Sequence, residues 1–328
     1  MAGKRVIIVG HDGQDGQLLT RALREEGDDV LGIGRTSNSS TVLVDDMESI
    51  RVERPDEVER AVRTLRPHEV YYLAAYHASS EDRDTCEIRE GFTRSVRVHV
   101  EGPLHFLEAI RRHSPSTRLF YASSSLVFGP RGSVTPQDEN TPPAPAGSYA
   151  LTKALGGEAV REYRERHGIF GSVGILYNHE STRRPRSFVS RKISLAALAI
   201  LAGEQETLTL GDLDAVVDWG YAPDFVDAFR RILALDEPDD FVVATGRGHT
   251  VRDFVSVAFE HVGLDWQRHV EESSALLGRE AGGRVGDARK LRRRSGWEAT
   301  LSFEEMVRRL LDETAVELGV PLADKLRS

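Results

Sequence analysis

The chain has 328 residues, 40% apolar and 29% charged, the balance of a soluble globular protein with one large domain or two smaller ones. Its net charge of −9 argues against a nucleic-acid binder, and one cysteine, Cys86, excludes an internal disulfide. No apolar run reaches the roughly eighteen residues of a membrane span, and the first residues lead straight into a strand pattern, not a signal peptide, so a cytoplasmic protein without membrane or metal is expected.

Val6-Ile7-Ile8-Val9 is a short apolar run of the kind buried on both faces of a parallel sheet. Gly10-His11-Asp12-Gly13-Gln14-Asp15-Gly16 follows, and Leu18, Leu19, Ala22 and Leu23 then recur at helical spacing. Strand, glycine-rich turn and helix together predict a dinucleotide site, with Gly10, Gly13, Gln14, Asp15 and Gly16 against the pyrophosphate. The second strand, over 29–35, ends in Arg35 where an acid would bind the ribose 2′-hydroxyl of NAD; a cation followed by Thr36, Ser37 and Ser39 favours NADP, with NAD possible. An amphipathic crossover helix is predicted over 55–66, then a buried strand over 69–75. Its last residues, Ala74 and Ala75, are small enough for a cofactor to approach, and His77 follows on the loop. One helix is predicted over 92–113.

Leu119 to Ser125 is an apolar strand ending in three serines. A Pro-rich polar loop leads to Ser148-Tyr149-Ala150-Leu151-Thr152-Lys153. Tyr149 and Lys153 lie four apart at the start of a helix and so share a face. A cation beside a phenol favours the phenolate, which makes Tyr149 a candidate base near neutral pH; Ser124 is placed to hold the substrate oxygen. A further strand over 171–177 runs into Asn178-His179-Glu180-Ser181 and the cations Arg183, Arg184, Arg186, Arg191 and Lys192, which suit a pyrophosphate. The run 289–294 is basic and reads as a solvated helix face near the substrate lobe. Strands alternating with helices predict an α/β, Rossmann-type doubly wound parallel sheet over 1–177. A smaller mixed lobe over 178–328 is expected to bind substrate, some of its elements returning to the first domain, with the ligand in the cleft between them.

These stretches resemble the extended short-chain dehydrogenase/reductases that modify nucleotide sugars, and most of all the GDP-mannose 4,6-dehydratases. Gly13-Gln14-Asp15-Gly16, Tyr149 with Lys153, Asn178-His179-Glu180-Ser181, Arg183-Arg184, Phe188 to Ile193 and Asp218-Trp219-Gly220 carry the likeness. It implies a tightly held NADP (or NAD) that takes a hydride from sugar C4 and returns it. Tyr149 would be the base, Lys153 its tuner and ribose ligand, and Ser124 the hydrogen-bond partner of the sugar oxygen. Tyr177 and His179 would face the cofactor; Ser125, Asn178, Arg183, Arg184, Lys192 and Arg279 would face the nucleotide sugar. A homodimer or homotetramer is also implied. Three departures stand out. Leu126 replaces the Glu that removes the C5 proton in the dehydratases, Val217 replaces an Arg before Asp218-Trp219-Gly220, and Arg51 stands near the place of an adenine-side Asp. Loss of the elimination base points to a C4 epimerase acting on an NDP-hexose or NDP-heptose. The alternatives are a 4,6-dehydratase with a base such as His77 or His179, a 4-ketosugar reductase, and a non-catalytic dinucleotide-binding scaffold.

Overall fold

A computed structural model describes residues 3–35, 38–40, 50–76, 88–130, 136–273 and 283–322. His77, Cys86, Thr36, Ser37 and Arg279 lie outside the described residues. The first half of the chain runs β1 (Arg5–Val9), α1 (Gln14–Glu25), β2 (Asp29–Ile33), β3 (Asn38–Ser40), α2 (Pro55–Leu65), β4 (Glu69–Tyr72), α3 (Ile88–Val96), α4 (Gly102–His113), β5 (Arg118–Ser124), α5 (Ser148–His167) and β6 (Gly171–Leu176). It continues through β7 (Asn178–Glu180), α6 (Val189–Ala202), β8 (Leu208–Leu210), β9 (Val216–Val217), β10 (Trp219–Tyr221), α7 (Ala222–Ala234) and β11 (Asp240–Val243). The last elements are β12 (His249–Thr250), α8 (Val251–His261), β13 (Val270–Glu272), α9 (Arg289–Ser295) and α10 (Phe303–Leu318).

Among the described residues seven strands form the main sheet in the order β11-β6-β5-β4-β1-β2-β3. All neighbours are parallel except β3, which closes the β2 edge antiparallel. β1 is sandwiched between β2 and β4, and Val6 to Val9 are buried, as their unbroken apolar run predicts. The chain order reverses across β1, so the crevice beyond the carboxyl ends of β1 and β4 is the switch point where such sheets receive ligands.

The predicted helix over 92–113 is interrupted. α3 and α4 are joined by a π-helical turn, Arg97–Glu101. Pro103 supplies the reason: it has no N–H to give to the carbonyl of His99, four residues back. That carbonyl accepts the Tyr121 hydroxyl instead (2.9 Å), while the Val98 carbonyl accepts the Tyr72 hydroxyl (2.6 Å) and the Gly102 N–H reaches back to Arg97. The π turn is thus held against the sheet by two tyrosines from β4 and β5. α5 packs onto the same turn, and a Cβ on Gly156 would fall 2.1 Å from the His99 carbonyl oxygen and 2.2 Å from the Tyr121 hydroxyl.

α7, β11 and α9 follow residue 178, yet their Phe225, Phe229, Phe241 and Leu291 belong to the same core as the sheet. A second core joins α6, α8 and α10 around Trp219, whose ring meets Phe254 at 5.3 Å and Phe303 at 5.9 Å between centroids. Two expectations about cations are corrected here. Arg191 is buried inside this second core, donating to Thr314 and to Glu317 (2.6 Å) of α10, so it is no part of a phosphate cluster. The basic run of α9 is exposed at Arg289 and Arg292 to Arg294, as expected of a solvated face, but it packs beside β11 and α7 of the first core, with Lys290 on Asp239 at 2.7 Å and Arg292 on Glu298 at 3.0 Å.

The approach of α5 to the π turn tolerates no side chain at 156. Gly156→Ala is expected to destabilise the fold by about 1–3 kcal/mol, the usual range for overpacking, as read from chemical denaturation midpoints. An unchanged midpoint would mean that the helices separate freely.

Candidate active site

The turn after β1 is shaped by close packing. Gly10 has φ +90°, and a Cβ there would lie 2.8 Å from the Ala74 nitrogen after β4. A Cβ on Gly16 would lie 2.3 Å from the Gly10 carbonyl oxygen, which fixes α1 tightly against the turn. At Gly13, the residue before α1, the nearest atom to an added Cβ is the Gly10 oxygen at 3.3 Å, and no side chain caps the helix. The first N–H groups of α1 are therefore presented without a Cβ in front of them, the arrangement that holds a diphosphate. Ala74 is half-buried and Ala75 exposed at the same edge, so the crevice fits a dinucleotide.

Tyr149 and Lys153 come from the first turns of α5, and Ser124 ends β5 beside them. The Ser124 hydroxyl hydrogen-bonds Tyr149. Lys153 is almost wholly buried; its Nζ donates to the carbonyls of Ala122 (2.9 Å) and Ala74 (3.2 Å) and lies 5.2 Å from the centre of the Tyr121 ring. Burial pulls the Lys153 ammonium down to about 7. Burial pushes the Tyr149 phenol up to about 12, against the smaller opposing effects of Ser124 and Arg184. Burial, and not the lowering expected from Lys153, therefore sets the direction at Tyr149. Desolvation dominates, because the ammonium is directed at strand-end carbonyls.

His99, which the sequence reading passed over, completes this group. It sits on the π turn with its ring edge-on to Tyr149 at 5.3 Å between centroids. Nε2 accepts the Tyr76 N–H (2.9 Å), so Nδ1 carries the proton and donates to Thr152 Oγ1 (2.8 Å), which donates in turn to the Ser148 carbonyl (2.8 Å). The imidazole thereby ties the loop after β4 to α5. Its sequence signal is a His among apolar residues, Val98-His99-Val100, in a helical run whose face must be buried.

The other predicted residues are placed as follows. Gln14 bridges the two halves of the site, donating to the His179 carbonyl (3.0 Å) and accepting from Ser181 Oγ (2.8 Å). His179 is buried and stacked on Phe225, with Nε2 on Asp15 (3.0 Å) and Nδ1 on the Tyr177 carbonyl (2.7 Å). Burial pulls His179 down, but the Asp15 carboxylate more than reverses this and leaves it raised. Burial pushes Asp15 up, and His179 more than reverses that, leaving it lowered. The Tyr177 ring is buried, its hydroxyl donates to Gln137 (2.7 Å) and its N–H to Val243 (3.0 Å). Asn178 begins β7 half-buried, Ser125 is buried below Ser124, and Lys192 is half-buried in α6. Arg183 donates to Gln17 on α1, while Arg184 lies 3.4 Å from the buried Glu180 carboxylate and 4.0 Å above the Phe188 ring. Arg35 is exposed just past β2. Arg51 is engaged by Glu57, to which its N–H donates at 2.8 Å. Leu126 is half-buried on the turn after Ser124, its N–H pointing at Ser124 Oγ (3.3 Å).

A sequence model of the family described as GDP-mannose 4,6 dehydratase matches residues 7–310, nearly the whole of this arrangement. The chain belongs to that family. GDP-mannose 4,6 dehydratase 1 of Arabidopsis thaliana is 36% identical over 330 residues, covering 94% of this chain and 89% of its own. A UDP-glucose 4-epimerase of Thermotoga maritima, solved with UDP-glucose, superposes with a TM-score of 0.80 at 22% identity over 96% of this chain and 99% of that one. A dTDP-glucose 4,6-dehydratase of Bacillus anthracis, solved with NAD, has a TM-score of 0.80 at 17% identity, covering 98% of this chain and all of that one. The family thus confirms the resemblance in the motifs and the doubly wound fold. Among the described residues no helix is long and apolar enough to cross a membrane.

The buried ammonium gives this member of the dehydratase family a measurable pH signature. The folded chain releases the Lys153 proton at about 7, whereas the unfolded chain keeps it to near 10.5. Between these values the unfolded state binds more protons, so stability rises with pH; below about 7 the penalty is at its full and constant size. The stability of the native chain relative to Lys153→Met, from denaturation at a series of pH values, is therefore expected to climb from pH 7 to 10. A flat difference would mean that Lys153 is solvated.

Proposed function

We propose that the chain is a nicotinamide-dependent nucleotide-sugar C4 epimerase acting through a transient 4-ketosugar. The observation that carries this reading is the assembly of Ser124, Tyr149 and Lys153 at the open end of β5, with the apolar Leu126 on the turn beside it, the position at which the resemblance implies a dehydratase carboxylate. A nicotinamide dinucleotide in the crevice above Gly13 would supply the hydride acceptor and donor at C4. The chain's own residues do the rest. Ser124 holds the C4 oxygen, Tyr149 removes its proton and later returns it, and Lys153, once a ribose and a substrate share its cavity, stabilises the phenolate. Leu126 has no group that could take a proton from C5. The ketone therefore keeps its C6 oxygen, and re-reduction on the opposite face gives the epimer. Arg184, Lys192, Arg183 and Asn178 are the groups proposed to meet the nucleotide sugar, and the site is read as cytoplasmic.

The relatives' name favours a second reading, the GDP-mannose-type 4,6-dehydratase, in which a residue other than 126 takes the C5 proton. His179 is poorly suited to that task, since both its ring nitrogens are held by Asp15 and Tyr177.

Incubation of the purified chain with nucleotide sugars, GDP-mannose and GDP- and ADP-heptoses included, without added cofactor, separates the two. The expected product has unchanged mass and an altered H4 coupling by proton NMR. Loss of one water would establish the dehydratase instead, and turnover only of a 4-ketosugar with added reduced cofactor would establish a reductase. Tyr149→Phe is expected to lower the rate by about two to four orders of magnitude with the fold intact. Leu126→Glu is expected to introduce loss of water.

The chain is further read as a homodimer or homotetramer assembled through α3 and α5. Ile88 and Phe92 on the first, and Leu151 and Leu155 on the second, are 92, 38, 40 and 45% exposed. Leu151→Glu with Leu155→Glu is expected to give monomers in analytical ultracentrifugation; a native chain that already sediments as a monomer would remove the assembly.

A further inference from the structure

β2 ends at Ile33 and Gly34 follows, so no acidic side chain projects from the strand end where an Asp or Glu would meet the ribose 2′-hydroxyl of a dinucleotide. That volume is nevertheless filled. A Cβ on Gly34 would lie 2.2 Å from Asp12 Oδ2 and 2.6 Å from Asp12 Cγ. The carboxylate from the glycine-rich turn thus occupies the space of a side chain at position 34. Among the described residues two contacts hold it: the Arg35 N–H donates to Oδ2 (3.1 Å), and His11 Nε2 lies 3.0 Å from Oδ1. The His11 ring rests on β2 at Gly32, where an added Cβ would meet it at 2.6 Å. Glycines 32 and 34 therefore make room for the side chains of residues 11 and 12. The Asp12 side chain stays 40% exposed, open to a ligand at the mouth of the turn.

We propose that Asp12 stands in for the missing strand-end acid and reads the adenosine 2′-hydroxyl, so that the chain binds NAD in preference to NADP. This rests on the dinucleotide reading above and reverses the expectation drawn from Arg35. A carboxylate accepts a hydrogen bond from a ribose hydroxyl, whereas a 2′-phosphate would bring a second anion into the same place. The exposed Arg35 side chain would attract a phosphate, but its backbone N–H holds the Asp12 carboxylate at the same mouth, so a 2′-phosphate paired with Arg35 would still lie against that carboxylate.

Calorimetric titration of the full chain, freed of co-purified nucleotide, with NAD and with NADP tests the proposal; mass spectrometry of the released nucleotide identifies what the chain carries from the cell. NAD is expected to bind at least about tenfold tighter, the range of one charge-assisted hydrogen bond. Asp12→Asn, with Asp12→Ser as a second variant, is expected to narrow that ratio about tenfold, chiefly through tighter NADP binding, with unliganded melting temperatures near the native one. Tighter binding of NADP by the native chain, or a ratio unmoved in both variants, overturns the role of Asp12. Binding of neither dinucleotide at millimolar concentration overturns the dinucleotide reading itself, and this proposal with it.

Discussion

The ammonium of Lys153 donates to the carbonyls of Ala74, just past β4, and Ala122, near the end of β5, and the rest of the site is arranged around that contact. It fixes α5 over the gap between β4 and β5, which places Tyr149 against Ser124. It also holds a charge where water is excluded, and the depressed value of about 7 records the strain. A group poised in this way is sensitive to whatever enters the cavity. Burial holds both the lysine and the tyrosine less ionised than they would be in water.

Around this contact the two halves of the chain are not independent. Gln14, at the start of α1, clasps the loop after β7 through the His179 carbonyl and Ser181. His179 reaches the same helix through Asp15. The turn that would carry a diphosphate and the loop that would carry a nucleotide sugar share side chains. Asp218 adds a second junction: its buried carboxylate accepts from the N–H groups of Thr245, Gly246 and Gly286 and fixes three loops beside β11.

Much of this was legible before the structure. The doubly wound parallel sheet, the strand-turn-helix at Gly10 to Gly16 and the shared helix face of Tyr149 and Lys153 follow from spacing and helical periodicity, which are local properties. What escaped notice depends on distant partners. His99 matters because Tyr76, Thr152 and Tyr149 meet it, and Asp12 because residues 32 and 34 lack side chains; neither relation has a fixed spacing. Arg183, Arg184, Arg186, Arg191 and Lys192 read in sequence as one basic cluster, but α6 turns successive residues to different faces, and Arg191 lies on the one turned to α10. The electrostatics were misjudged for a similar reason: a pair four apart predicts proximity but says nothing about how much water remains around it.

The π turn between α3 and α4 also limits how this sequence can change. Pro103 withholds a hydrogen bond, Tyr121 and Tyr72 supply replacements, and Gly102 and Gly156 leave room for the hydroxyls. A residue with an N–H at 103 would have to compete with Tyr121 for the His99 carbonyl, and a straightened helix would shift His99 away from Tyr76 and Thr152. Each intermediate on the way to a regular helix leaves a buried carbonyl orphaned or two atoms overlapping. These five positions therefore form a block that can drift only together, so the interrupted helix is a trait that single substitutions do not readily erase.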